Sequence, residues 1–163
     1  MPLAAPQPAR VMRWIDGDTV IVKRPSGLER VRLIGIDAPD RLPESRATRQ
    51  ASMHGLTAHA LARLGREAWT TAQQLAAPGS RIFLQMDRVA RDAHGDQLAY
   101  VFAETGELLN LELVSRGAAW TTRDVSDLRY GELLANREAA ARARKMGIWA
   151  VAGTNRVAQA SRR

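Results

Sequence analysis

The stretch Val11–Ile36, VMRWIDGDTVIVKRPSGLERVRLIGI, decides the fold. Three apolar runs, VMRWI, TVIVKR and VRLIGI, are separated by turn formers: Asp16-Gly17 after the first and Pro25-Ser26-Gly27 after the second. Gly supplies the positive φ that tight turns need, Pro pre-sets φ, and β-branched residues fit the pleated surface between them. Short runs at this spacing form a strand meander, and the domain opens with one.

Outward from the meander, the helix signals come next. Leu42–Leu64 is rich in Arg, Ser and Ala, has poor periodicity and carries His54 and His59, so it reads as a mobile insertion with some helix. Leu64, Ala68, Trp69, Ala72, Leu75 and Ala76 then recur at helical spacing, and Pro78-Gly79 stops that helix. IFLQM and LAYVF are two further strands, joined by the turn around Gly95-Asp96. ELLNLELVSRG is a short helix with Gly117 as its C-cap. Leu128–Met146 is an Ala- and Arg-rich helix ended by Gly147, with Glu138 and Arg142 spaced as an i,i+4 pair and Ile148-Trp149 folding back on the core. Strands, a helix, strands and two helices make an α+β pattern rather than alternating β/α units. Residues 1–10 read as a flexible N-terminal segment, 11–150 as the domain, and 151–163 as a basic, disordered tail.

The chain has 163 residues, enough for one domain with a real core, and no cysteine, which excludes disulfides and thiolate metal sites. MPLAAPQPAR lacks a continuous apolar stretch, and no run approaches the roughly 18 apolar residues of a membrane span. A cytoplasmic protein with no signal peptide and no membrane partner is the expectation, and a monomer the expected state. Lys plus Arg outnumber Asp plus Glu by 24 to 17, and nearly all the cations are Arg. Arginine forks match phosphate geometry, so a polyanion partner fits this balance, as does a charge that only keeps the protein soluble.

Two acidic motifs sit at strand ends: IDGDTV, with Asp16 and Asp18, and IGIDAPD, with Asp37 and Asp40. Each alone can be a turn or a strand exit, because Pro39 cannot continue a ladder. Together they are oxygen ligands of the kind that Ca²⁺ or Mg²⁺ takes. Arg32, inside the third strand, needs an anionic partner. Strict alternation puts Arg32 and Asp37 on opposite faces, so they converge only if Asp37 lies beyond the strand's end.

DGDTV, VRLIGIDAPD, DAHGDQLAYV, LLNLELVSRGAA and ARKMGIW, in that order, resemble the successive motifs of the staphylococcal nuclease (thermonuclease) family from about Val11 to Trp149. The resemblance implies a five-stranded OB-type β-barrel flanked by about three helices, and Ca²⁺-dependent hydrolysis of phosphodiester bonds in DNA or RNA, with Mg²⁺ or another divalent ion as an alternative. It implies metal ligands at Asp18, Asp37 and the Ala38 carbonyl, and a phosphate-binding arginine at Arg32. Where the family carries its general-base glutamate this chain has Asp40, one methylene shorter. Where the family carries its second catalytic arginine it has Asp96, an anion for a cation. Asp96 is then a solvated turn residue or the partner of a neighbouring arginine. Arg88, Arg91, Arg41 and Arg46 are the cations within reach of the vacated place. Arg91, His94 and Trp120 are candidate substrate contacts, whereas Trp14, Trp69 and Trp149 hold core-like positions. Two functions follow: an attenuated metal-dependent nuclease, or an inactive OB module that binds nucleic acid or protein.

Overall fold

The computed structural model describes residues 4–41, 50 and 53–151. The strands are β1 (Gln7–Asp16), β2 (Thr19–Arg24), β3 (Gly27–Leu33), β4 (Ile36–Asp37), β5 (Arg81–Gln85), β6 (Gln97–Ala103) and β7 (Trp120–Thr121). The helices are α1 (Ala58–Leu75), α2 (Leu109–Ser115) and α3 (Gly131–Ala143), with a 3₁₀ turn at Val125–Asp127. Five strands close a barrel in the order β1-β2-β3-β6-β5, while β4 pairs with β7 outside it. This is the expected OB-type α+β architecture, in which only β3 and β6 run parallel.

Alternation fills the barrel. Val20 and Val22 of β2, Val31 and Leu33 of β3, Ile82 and Leu84 of β5, and Ala99 and Val101 of β6 all point inward and are buried. Each such aliphatic side chain contributes roughly 1.5–3 kcal/mol relative to exposure. In β1 the alternation slips between Val11 and Arg13, where a bulge leaves Met12 and Arg13 both outside and returns Trp14 to the core. Helix α1 presents Ala68 and Ala72 to this core, small enough to let the helix lie close. It is fastened at both indoles: Trp14 Nε1 donates to Ala76 O (2.8 Å) and Trp69 Nε1 to Trp14 O (2.7 Å). From α2, the buried Asn110 stitches the strands, accepting from Val101 N (2.9 Å) and donating to Ile34 O (2.8 Å).

Four boundaries differ from the sequence expectation. β1 starts at Gln7, so residues 7–10 are strand and pair with β5 rather than forming part of a loose leader. The 152–163 part of the tail lies outside the described residues. VRLIGI is not one strand: Gly35 adopts φ +78°, β3 stops at Leu33, and Ile36-Asp37 leaves the barrel toward Thr121 and Trp120. α1 begins at Ala58, inside the segment read as an insertion, because Thr57 caps it by accepting from Ala60 N (3.0 Å). Residues 42–49 and 51–52 of that segment lie outside the described residues. α3 runs from Gly131 to Ala143, shorter at both ends than expected. Its Glu138 accepts from Thr121 N at 2.6 Å and stands 4.0 Å from Arg142, whose guanidinium lies over Trp149. Ile148 is buried with Leu56, Leu61, Leu64 and Trp120 in a second, smaller cluster, as the fold-back reading anticipated.

Candidate active site

The break at Gly35 builds the site. With β4 turned out of the barrel, Asp37 no longer follows the alternation of β3, and its Oδ1 comes within 3.3 Å of Arg32 Nη2. The same guanidinium nitrogen lies 3.9 Å from Oδ2 of Asp18, which is fully buried at the β1–β2 turn. Asp18 is oriented by neutral donors: Thr19 Oγ1 donates to its Oδ1 (2.7 Å) and Ala38 N to its Oδ2 (2.8 Å). Such donors fix a carboxylate without cancelling its charge. Two aspartates from separate strand ends and one arginine therefore meet, with the Ala38 main chain between them.

A residue that sequence reasoning missed organises this loop. Gln50 is 4% exposed, and its side-chain amide nitrogen donates to Asp37 Oδ2 (3.2 Å) and to Ala38 O (3.0 Å). Its side-chain oxygen accepts from Asp40 N (3.1 Å). One glutamine thus spans Asp37, Ala38 and Asp40. Nothing in a segment without periodicity singles out such a residue. Asp40 is itself 7% exposed and lies beneath α1, where a Cβ at Gly65 would stand 2.2 Å from Asp40 O. Only glycine lets the helix approach this closely.

The β5–β6 hairpin arranges its charges differently. Asp96 Oδ2 meets Arg30 Nε at 3.0 Å, which selects the arginine-partner reading over a solvated turn residue. Arg91, a candidate substrate contact, donates to Glu29 (2.5 Å) and to Gly95 O (2.9 Å). His94 is exposed in a turn organised by Asp92, whose Oδ1 accepts from the amides of His94 (2.9 Å) and Asp96 (3.0 Å). Arg41 is stacked 4.5 Å over Trp69, with Nε donating to Ile15 O (3.2 Å). Arg46 lies outside the described residues. Trp120 is not a free stacking platform: it is 3% exposed, and His54 lies parallel to it at 3.7 Å. Burial lowers the His54 pKa, against the opposing pull of Asp37 and Glu138.

Beside Arg32 opens a cleft of about 330 Å³ walled by Ile36, Leu98 and Leu128 and bordered by Asp87, Arg88 and Thr122. Asp87 is a fixed acceptor there: Tyr100 donates its hydroxyl at 2.5 Å and Arg129 its amide at 3.1 Å. Burial pushes the Asp87 carboxyl up, but these donors outweigh it and the net pKa is lowered. The same burial, reinforced by the Asp87 contact, raises the Tyr100 phenol. Among the described residues no group of three or more His, Asp or Glu side chains is placed to hold a metal ion, so Asp18 and Asp37 stand as a pair of carboxylates.

Residues 30–151 match the family profile described as Staphylococcal nuclease homologue; the match includes Arg32, Asp37, Ala38 and Asp40, while β1, β2 and Asp18 precede it. The chain belongs to the staphylococcal nuclease family. Similar relatives include a thermonuclease of Staphylococcus intermedius, 30% identical over 146 residues, covering 85% of this chain and 74% of that protein. An endonuclease of Bacillus subtilis (strain 168), YhcR, is 29% identical over 147 residues; this chain matches 85% of its own length but spans only 11% of that protein. An uncharacterized endonuclease of Escherichia coli O157:H7 is 29% identical over 140 residues, covering 86% of this chain and 75% of the relative. Within this family the structure brings Asp18, Asp37, Ala38 and Arg32 together and seats Asp40 on the same loop, but places Arg91 and His94 on the hairpin and Trp120 in the packing. No helix among the described residues is long and apolar enough to cross a membrane.

Proposed function

We propose that this protein is a divalent-metal-dependent nuclease that hydrolyses phosphodiester bonds of DNA or RNA, with Ca²⁺ as the first candidate ion. The observation that carries the reading is the convergence of Asp18, Asp37 and Arg32 at 3.3 and 3.9 Å. The donor set fits a hard cation: two carboxylates and the Ala38 carbonyl are all oxygen, and the buried Asp18 is oriented by a hydroxyl and an amide. Relatives named as thermonuclease and endonuclease support the reaction class. When bound, such an ion would polarise a phosphoryl oxygen and acidify a water.

The chain's own residues would do the rest. Arg32 neutralises charge that grows on the phosphoryl oxygens as phosphorus becomes five-coordinate. Asp40 is the candidate general base, with a shorter reach than glutamate. The cleft beside Arg32, apolar walls with polar borders, would take the flanking nucleoside. Asp40 and Asp96 in place of the family's glutamate and arginine make the enzyme an attenuated one, because removing a cation that faces the transferring phosphoryl costs on the order of 10³–10⁵ in rate in comparable enzymes. The Asp96 substitution also favours a second reading, an OB module that binds nucleic acid without hydrolysing it. Labelled DNA and RNA incubated with Ca²⁺, Mg²⁺ or EDTA separate the two. Metal-dependent products absent from Asp37→Asn support the nuclease; binding that survives chelation, with no products under any metal, supports the module.

A further inference from the structure

We infer that Arg30, anchored by Asp96, is a second phosphate-contacting cation of this site and takes up the part left without an arginine on the hairpin. The inference rests on the nuclease reading for its substrate and goes beyond it in naming a residue. Arg30 and Arg32 are alternate residues of β3, so both project to the outer face of the barrel, with their Cα atoms roughly 6.5–7 Å apart. The parallel register places Arg32 opposite Leu98, and both line the cleft. Arg30, two residues before Arg32, and Asp96, two before Leu98 and just ahead of β6, form the next outward row of that register; Arg30 also lines a neighbouring depression with Met12, Arg13, Ile21, Leu28 and Glu29. The row spacing is one that consecutive phosphates of an extended strand can follow.

The contact geometry leaves the guanidinium able to act. Asp96 engages Arg30 through Nε at 3.0 Å, and the Arg30 side chain is 50% exposed. A carboxylate on Nε fixes the plane of the fork while its terminal nitrogens stay available for a bidentate phosphate contact. Asp96 is thus a positioning residue. The other candidates are placed less well: Arg91 is held by Glu29 and Gly95, and Arg41 is stacked on Trp69. Arg88 borders the cleft and is the rival carrier.

The test compares wild type with Arg30→Gln, Arg30→Lys, Arg88→Gln and the double variant Arg30→Gln/Asp96→Asn. The double variant removes the pair without changing net charge, so it separates a contact from the general field. Binding of a fluorescent single-stranded oligothymidylate is measured in EDTA across salt concentrations, alongside KM and kcat with Ca²⁺ and the melting temperature of each variant. Arg30→Gln and the double variant should both weaken binding about 3- to 10-fold and flatten the slope of log K against log salt by about 0.7, the increment for one lost phosphate contact on a single strand. KM should rise with them, and Arg30→Lys should keep the slope. A double variant that returns to wild-type binding and slope would show that Arg30 merely neutralises Asp96 and overturns the inference, as would a slope that falls in Arg88→Gln and not in Arg30→Gln. A slope change in a wild-type background that never cleaves upholds Arg30 and overturns the nuclease reading; metal-dependent cleavage with an unchanged slope does the reverse.

Discussion

The loop after β3 and the β5–β6 hairpin face the same cleft, yet the charges beside them are arranged differently. Asp18 at the β1–β2 turn and Asp37 after β3 are oriented by a hydroxyl, a main-chain amide and the Gln50 amide, and lie 3.9 and 3.3 Å from Arg32. Along the hairpin edge, Asp96 is paired with Arg30 and Glu29 of β3 with Arg91, while Asp87 and Asp92 are held by a phenol and main-chain amides. Neutral donors hold geometry and leave charge in place; ionic pairs at an exposed edge cancel it and contribute little stability, typically 0–1 kcal/mol. The first region thus gathers two carboxylates beside one guanidinium, whereas the outer edge of the second sets acid against arginine in separate pairs.

Breaking the first region should cost most. Asp37→Asn should remove metal-dependent cleavage, and Gln50→Leu should raise the Ca²⁺ concentration needed for half-maximal cleavage by about 10- to 100-fold, the usual cost of losing a group that orients ligands. A titration of rate against Ca²⁺ reads this directly, and an unchanged midpoint would show that the loop holds its shape without Gln50. A smaller effect concerns pH. The folded-state pKa of His54 lies below its ordinary value because burial disfavours the imidazolium, so the unfolded chain binds the proton more readily. Stability should therefore fall as pH drops through the ordinary histidine value near 6.5, and His54→Phe, which can keep a ring on Trp120, should flatten that part of the profile in urea melts. The smallest effect belongs to the hairpin edge: Arg91→Ala should leave kcat/KM within about twofold, because its guanidinium is committed to Glu29 and Gly95 at an exposed surface. A larger loss would mean that the two regions are not divided as described.

Much of the architecture was legible because it rests on local rules. Apolar runs between turn formers marked β2, β3, β5 and β6, and Gly117 closed its helix where the pattern ended; α3 instead stops at Ala143, with Lys145 rather than Gly147 in the left-handed position after its cap. What escaped the sequence depends on distant partners. The split of VRLIGI turns on Gly35, whose added Cβ would strike Leu128 and Leu134 at 2.8 Å, residues far along the chain. The start of β1 at Gln7 follows from its pairing with β5, not from its composition. At the site, the motif positions Asp18, Asp37 and Arg32 could be picked out in advance, but Gln50 and Arg30 could not, since neither has a local pattern. Trp120 misled for the same reason: small neighbours suggested exposure, and His54, from elsewhere in the chain, covers it.

The departure of β4 from the barrel also bears on how the molecule assembles. Its partner is β7, so the strand that carries Asp37 is secured only when residues 36–37 find residues 120–121. Contacts of such long sequence separation form against a large loop-closure entropy and come late in folding. The meander can take shape early from its own turns, while the carboxylate centre waits for the chain to reach β7. Substitutions in β7 should then raise the unfolding rate with little change in the folding rate, and a chain truncated before residue 120 should keep barrel strands and lose the centre.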